Sequence, residues 1–268
     1  MIDLLGYQFF QNALIAGFLA SIACGIVGTY VVVKRISFIS GGISHSAFGG
    51  IGLAYLFGFE PLFGAAAFAL LSALGIGVAS RQGEREDTVI AAMWATGMAL
   101  GILFISMAPG YAPDLLSYLF GNILFVPASD LLLMAAFDII ICGIVALFYN
   151  EFLAMTFDEE FATIMNIPVE RVYLLLLCLA ALTVVMMIRI VGVILVIALL
   201  TIPAAIARQH RQSLHGIMAM ATGTGILLTG VGILFSVLAD VPSGASIILA
   251  CAAAYVLSTV IVRARGSG

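Results

Sequence analysis

The chain has 268 residues, of which 63% are hydrophobic and only 9% charged, and its mean hydropathy is +1.24. A soluble domain carries about 25% charged residues, so this composition argues against a soluble protein and indicates a polytopic membrane protein. The net charge of −4 and the pI near 5.2 argue against nucleic acid as a partner. We expect a single transmembrane domain over residues 1–268, without a cleavable signal peptide.

Nine apolar segments come close to the roughly 20 residues that a helix needs to cross a bilayer. They predict an all-α, polytopic membrane helix bundle of about eight or nine transmembrane helices. The number depends on residues 172–207, one long apolar stretch interrupted only by Arg189 and Gly192. This stretch is either two full spans or one span plus a re-entrant helix. The nine segments are residues 10–33, 36–58, 61–80, 88–108, 129–149, 172–188, 190–207, 216–238 and 244–262.

The basic residues predict the orientation of these spans. With the N-terminus outside and the sides alternating, nine of the ten Lys and Arg residues fall on the cytoplasmic side. The positive-inside rule therefore predicts an external N-terminus and a cytoplasmic C-terminus. Arg189 is the exception. It is interpreted either as a residue that reaches the headgroups at the outer interface or as part of a re-entrant segment near a pathway.

The second segment carries an ionisable side chain inside a predicted membrane span. His45 lies among glycines and serines, with Gly41 on the same helix face and Ser44 alongside. Because an ionisable group is costly at that depth, an intramembrane histidine is a functional hypothesis by default. We interpret His45 as a residue of a metal-ion path. The alternative is a histidine that donates a hydrogen bond to a neighbouring helix and binds nothing.

Residues 150–171 form the long cytoplasmic loop of this topology. Thr156 and Glu159 are spaced as a capping box and predict a short helix over 156–167. Its acidic start and apolar face predict a docking element for a cytoplasmic partner. The alternative, a helix lying on the membrane, usually has Lys and Arg on its polar face. The docking residues are Thr156, Asp158, Glu159, Glu160, Phe161, Ile164 and Met165.

Three blocks carry a family resemblance that covers nearly the whole chain. They are VVVKRISFISGGISHSAFGG at 31–50, the stretch from TFDEEFATIMNIPVERV to RIVGVILVIALLTIPAAIAR at 156–208, and DVPSGASIIL at 240–249. The chain resembles the permease subunits of ATP-binding-cassette importers for zinc and manganese. This resemblance implies a homodimer, two cytoplasmic ATPase subunits that use ATP, an external metal-binding protein, and coupling of the 156–167 helix to the ATPase.

The metal path departs from the family pattern at one position. In the family an aspartate usually stands four residues before the histidine, on the same helix face. Here Gly41 occupies that position. Since neutral imidazole suits Zn²⁺ and carboxylates suit Mn²⁺, the absence of this carboxylate favours zinc as the transported ion. Manganese and iron are the alternative ions. Asp138, near the middle of its span, is the second candidate: it replaces the missing carboxylate, pairs with Arg189, or stays neutral.

The resulting prediction is a permease that moves a divalent metal ion inward by alternating access, with ATP hydrolysis on separate subunits. The chain has no Walker A motif and is not expected to be an enzyme or to hold a covalent cofactor. One alternative keeps the architecture but transports a metal chelate of the siderophore or cobalamin type, which would not need His45. A second alternative, an ion-coupled secondary transporter, would need acids or broken helices in repeated halves.

Overall fold

The computed structural model describes residues 6–82, 85–109, 119 and 121–266. Over these residues the fold consists of α-helices and one 3-10 turn, Ile123–Phe125. Each predicted segment corresponds to one long helix whose ends differ from the predicted ones by no more than about four residues. The helices are α1 (Gln8–Val33), α2 (Phe38–Phe57), α3 (Pro61–Arg81), α4 (Glu86–Met107), α5 (Ala128–Leu147), α6 (Tyr149–Phe157), α7 (Glu159–Ile164), α8 (Val169–Val191), α9 (Val193–His210), α10 (Leu214–Ala239) and α11 (Ser243–Gly266).

Eight helices of the described chain are long and apolar enough to cross a membrane, namely α1, α3, α4, α5, α8, α9, α10 and α11. The prediction of an all-α membrane bundle is therefore confirmed. Helix α2 has 20 residues and is also long enough, at a rise of about 1.5 Å per residue, but its glycines, serines and histidine make it less apolar. Residues 39–52 of α2 are all buried, so this helix faces protein rather than lipid.

Small residues along α2 allow α3 and α4 to approach its backbone. A Cβ atom at Gly50 would lie 1.9 Å from the carbonyl oxygen of Gly64 in α3. Likewise, a Cβ atom at Gly97 of α4 would lie 2.4 Å from the Cα atom of Ser46 in α2. The small-residue stripe of Gly42, Ser46 and Gly50 is thus a face for close helix packing, as expected from membrane helices that associate through small residues.

Replacing Gly50 by alanine is expected to destabilise the protein. The added methyl group would overlap the backbone of α3, and overpacking of this kind costs about 1–3 kcal/mol of unfolding free energy. Thermal unfolding of the purified protein in detergent measures the loss. Gly143→Ala on α5 is the matched control, because a Cβ atom there meets nothing within 4 Å. Equal stability of the two variants would contradict close packing between α2 and α3.

Helices α8 and α9 are separated by Gly192 alone. Its φ of +80° and ψ of 162° are accessible to glycine and strained for other residues. Residues 172–207 therefore form two helices, and both are long and apolar enough to span. Arg189 lies in the last turn of α8, but its side chain is outside the described part of the chain, so both interpretations of it stay predictions.

One end of the bundle gathers the basic residues at the C-terminal ends of several helices, and we call it the basic end. Lys34, just after α1, forms an ion pair with Glu159 of α7. Arg81 at the end of α3 lies 2.7 Å from the carboxylate of Glu170 in α8. Arg208 of α9 donates a hydrogen bond to the carbonyl oxygen of residue 32 in α1, at 2.9 Å. The short helices α6 and α7 thus lie at the basic end.

The predicted capping box at this loop is wrong. Thr156 belongs to α6, and its buried hydroxyl has no hydrogen-bond partner in the described chain. Asp158 caps α7 instead, and its carboxylate accepts a hydrogen bond from the Phe161 amide at 2.9 Å. An Asp side chain satisfies an unpaired helix N–H as well as Ser or Thr. Glu159 is the first residue of α7, not the third as a capping box requires, and its carboxylate pairs with Lys34.

Removing the Asp158 carboxylate is expected to loosen α7. Loss of an N-cap costs about 1 kcal/mol, so Asp158→Ala should accelerate amide hydrogen exchange across residues 159–164 roughly fivefold. Thr156→Ala is the control and should leave this exchange unchanged. If instead Thr156→Ala accelerated exchange and Asp158→Ala did not, the capping-box assignment would be reinstated.

Candidate functional site

The imidazole of His45 is buried between α2 and α4. Only 8% of the residue is exposed. Its ring stacks on the indole of Trp94, with centroids 4.2 Å apart and an angle of 15° between the planes. Its Nδ1 atom lies 3.2 Å from the thioether sulfur of Met98. The face that carries His45 is therefore covered by α4 of the same chain.

Trp94 also occupies the space beside Gly41. A Cβ atom added at Gly41 would lie 2.8 Å from Cζ3 of the indole. A carboxylate side chain at Gly41 would therefore require the indole to move. Trp94 is 37% exposed and borders a cavity of about 250 Å³, which Ile197 and Thr201 of α9 also line. The structure thus fills with an aromatic ring the place where the family resemblance puts an aspartate.

The two serines beside His45 differ in their hydrogen bonding. The hydroxyl of Ser46 accepts a hydrogen bond from Ser72 of α3. Ser44 is fully buried, and the described residues offer its hydroxyl no hydrogen-bond partner. Its role in a metal path stays a prediction.

Asp138 lies apart from His45. It is 5% exposed on α5, which packs mainly against α1 and α8, whereas α2 packs chiefly against α3 and α4. Neither carboxylate oxygen of Asp138 has a hydrogen-bond partner among the described residues, and the Cys24 thiol of α1 is close enough to interact with it electrostatically. The structure therefore does not bring Asp138 to the side of His45 as a replacement for the missing carboxylate.

Few potential metal ligands come together in this chain. In the part that the structure describes, no group of three His, Cys, Asp or Glu residues could hold a metal ion. Any site at His45 must therefore draw on other ligand types, water or a second molecule. A pathway needs such weak sites, because an ion that binds must also leave.

The short helix α7 exposes apolar side chains at the basic end. Phe157, Phe161, Ile164 and Met165 are 59%, 54%, 76% and 59% exposed, and we call them the loop patch. Contiguous apolar surface of this kind marks interaction sites. Of the three acids predicted to dock a partner, Asp158 caps α7 and Glu159 forms the ion pair with Lys34. The third, Glu160, has no such contact described.

A contact between two ionisable side chains joins helix α6 to helix α10. The Tyr149 hydroxyl of α6 lies 2.7 Å from Nδ1 of His215 in α10, and the two rings stack. Burial raises the pKa of the Tyr149 phenol, so it stays neutral at physiological pH. This contact ties the loop to the bundle. The positive-inside rule predicts that the loop acids Glu60 and Asp114 are on the external side; Glu60 lies just before α3, and Asp114 is not among the described residues.

Two residues of the His45 site, Trp94 and Met98, were not predicted from the sequence. Trp94 is the only tryptophan of the chain, and Met98 follows it by four residues, so both lie on one face of α4. The single tryptophan within a membrane segment could have drawn attention to Trp94. The sequence does not show which helix faces His45, because helix pairing is a tertiary property.

The described chain is a bundle of membrane-crossing helices with a buried histidine on α2 and exposed apolar side chains in the loop at the basic end. The chain belongs to the ABC 3 transport family, whose model matches residues 6–262. It is a membrane subunit of a transporter and a multi-pass protein of the prokaryotic inner membrane.

Named relatives are similar over most of their length. A protein named "Probable metal transport system membrane protein" from Chlamydia pneumoniae is 42% identical, covering 89% of this chain and 84% of the relative. The "Manganese transport system membrane protein MntC" of Halalkalibacterium halodurans is 34% identical, covering 96% and 88%. A chain of PsaBC from Streptococcus pneumoniae, solved in complex with a Fab, superposes with a TM-score of 0.86 at 31% identity, covering 96% and 92%.

Proposed function

We propose that this chain is the membrane-spanning subunit of an ATP-driven importer that moves divalent metal ions into the cytoplasm by alternating access. The observation that carries the proposal is the buried imidazole of His45 on a helix enclosed by protein. Family membership and relatives named for metal or manganese transport support it. Burying an ionisable side chain among membrane helices costs free energy, so a histidine there is a functional hypothesis by default. Imidazole is also the commonest protein ligand for metal ions.

Zinc is the preferred ion in this proposal. Three relatives, each 34% identical, are named for manganese transport, but Mn²⁺ favours carboxylate and water ligands. At His45 the described neighbours are an indole and a thioether, and Gly41 supplies no carboxylate. Nitrogen and sulfur ligands suit Zn²⁺. Manganese and iron remain the other candidate ions.

The topology follows the positive-inside rule. The basic end would face the cytoplasm, with the N-terminus outside and the C-terminus inside. Residues 150–171 would then form a cytoplasmic coupling segment, and the loop patch would dock on an ATPase subunit. A working transporter would comprise two copies of this permease, two ATPase subunits and an external metal-binding protein, since ATP must be hydrolysed on another chain.

Reconstitution in proteoliposomes tests the proposal. The permease is incorporated with its ATPase and binding protein, and uptake of radioactive zinc, manganese and iron is followed with and without ATP. We expect ATP-dependent uptake of the metal ion, fastest for zinc. Uptake of a siderophore or cobalamin chelate without any free metal ion would favour the chelate permease. Uptake by the permease alone, driven by an ion gradient, would favour a secondary transporter.

A further inference from the structure

Two residue pairs face each other across the contact between α2 and α4. Gly41 and His45 are four residues apart on α2, and Trp94 and Met98 are four residues apart on α4, so each pair lies on one helix face. The indole covers Gly41 and stacks on His45, while the thioether meets the imidazole nitrogen. The contact pairs glycine with an aromatic ring and histidine with sulfur.

We propose that the Met98 thioether is the second metal ligand beside His45, at a site where Gly41 supplies no carboxylate and Trp94 fills the space that one would need, so that the path selects zinc-like ions over manganese. This inference rests on the proposed function and adds the residues that set its specificity. Imidazole and thioether are softer ligands than carboxylate, and Mn²⁺ is the hardest and weakest binder of the ions considered.

The geometry allows one ion to contact both atoms. Zinc lies about 2.0–2.1 Å from a ligand nitrogen and about 2.3 Å from a cysteine thiolate sulfur, and its bond to a neutral thioether is longer. These two bonds together exceed the 3.2 Å between Nδ1 of His45 and the sulfur of Met98, so an ion can bridge them with a bent angle. Both ligands are uncharged, which keeps the site weak, as passage requires.

Trp94 affects the proposed ion site in two ways, by the volume of its indole and by the electrostatics of its ring. Its indole lies 2.8 Å from the position of a Cβ atom on Gly41, so a side chain there displaces it. The ring face, stacked on the imidazole, also favours a nearby cation through its quadrupole. The small residue and the large one thus act together: Gly41 makes room for the indole and supplies no carboxylate, and the indole fills the space that a side chain at position 41 would need.

Replacing Met98 by leucine tests the ligand assignment, because leucine keeps the volume and removes the sulfur. In the complete reconstituted complex, zinc and manganese uptake are measured in competition. We expect Met98→Leu to reduce the zinc-over-manganese preference about tenfold, the lower end of what loss of a group supporting a metal site costs. Met93→Leu is the control, since Met93 of α4 packs against Gly75 of α3 and should not alter the preference.

A converse variant adds the missing carboxylate. Gly41→Asp combined with Trp94→Ala places an acid four residues before His45 and gives it room, so we expect the preference to shift towards manganese. Thermal unfolding checks that both variants fold. A folded Met98→Leu complex with native preference overturns this inference and leaves the importer intact. Failure of the native complex to take up any divalent metal overturns the proposed function, and this inference with it.

Discussion

Replacing His45 by alanine is expected to abolish ATP-dependent metal uptake in the reconstituted complex. The imidazole is the one nitrogen ligand that the structure places inside the described membrane helices, away from the basic end where His210 and His215 lie. Without it, the Met98 sulfur alone would face the ion, and a single thioether is a weak ligand. Initial rates of zinc uptake, measured beside ATP hydrolysis in the same vesicles, test the expectation.

Two further variants separate the chemistry of His45 from its packing. His45→Phe retains an aromatic ring to stack on Trp94 and fills most of the volume, yet has no ligand nitrogen. It should lose uptake as fully as the alanine variant while unfolding near the native temperature. His210→Ala, at the basic end, is the matched control and should transport normally. Native uptake by His45→Phe would make His45 a packing residue and direct attention to Asp138.

Introducing charge into the loop patch is expected to uncouple the permease from its ATPase. Phe161 and Ile164 are more than half exposed on α7, where burial against a partner would remove them from water. Loss of an interface anchor of this kind weakens binding by about 2 kcal/mol or more, and burying an unpaired carboxylate weakens it further. The double variant Phe161→Asp, Ile164→Asp should lose metal-stimulated ATP hydrolysis and fail to co-purify the ATPase.

The control for this variant is an equally exposed apolar residue elsewhere. Phe125 in the 3-10 turn is 78% exposed, and this turn contacts α1 and α11 away from α7. Phe125→Asp should leave ATPase co-purification unchanged. If the double variant also keeps its ATPase, the loop patch is not the docking surface. A helix lying on the membrane then becomes the better interpretation, tested by binding of a 150–171 peptide to lipid vesicles.

The long helices of this bundle could be predicted from the sequence with little error, whereas the loop helix predicted over 156–167 is wrong in its bounds, since one helix ends at Phe157 and the next covers only Glu159–Ile164. A membrane span needs a fixed length of apolar residues, and nothing distant alters that requirement. In the stretch 172–207 the break between the two helices falls at Gly192, the residue that accepts φ near +80°. The small-residue stripe of α2 was equally visible as a packing face.

The capping of α7 shows where local reasoning fails. Thr156 and Glu159 have the spacing of a capping box, but Glu159 pairs with Lys34, which lies far away in the chain. The helix begins at Glu159, so Asp158 and not Thr156 stands at the N-cap position. Both residue types are favourable N-caps, and the sequence pattern alone did not distinguish between them.

The sequence alone determined the class of the protein, its membrane segments, its family and the buried histidine, because each of these depends on composition or on residues close together in the chain. Tertiary structure decided the surroundings of that histidine. It placed α4 against α2, so that Trp94 fills the space beside Gly41 and Met98 meets His45, and it set Asp138 apart on α5. Helix pairing depends on the fit of whole surfaces, which no single segment encodes.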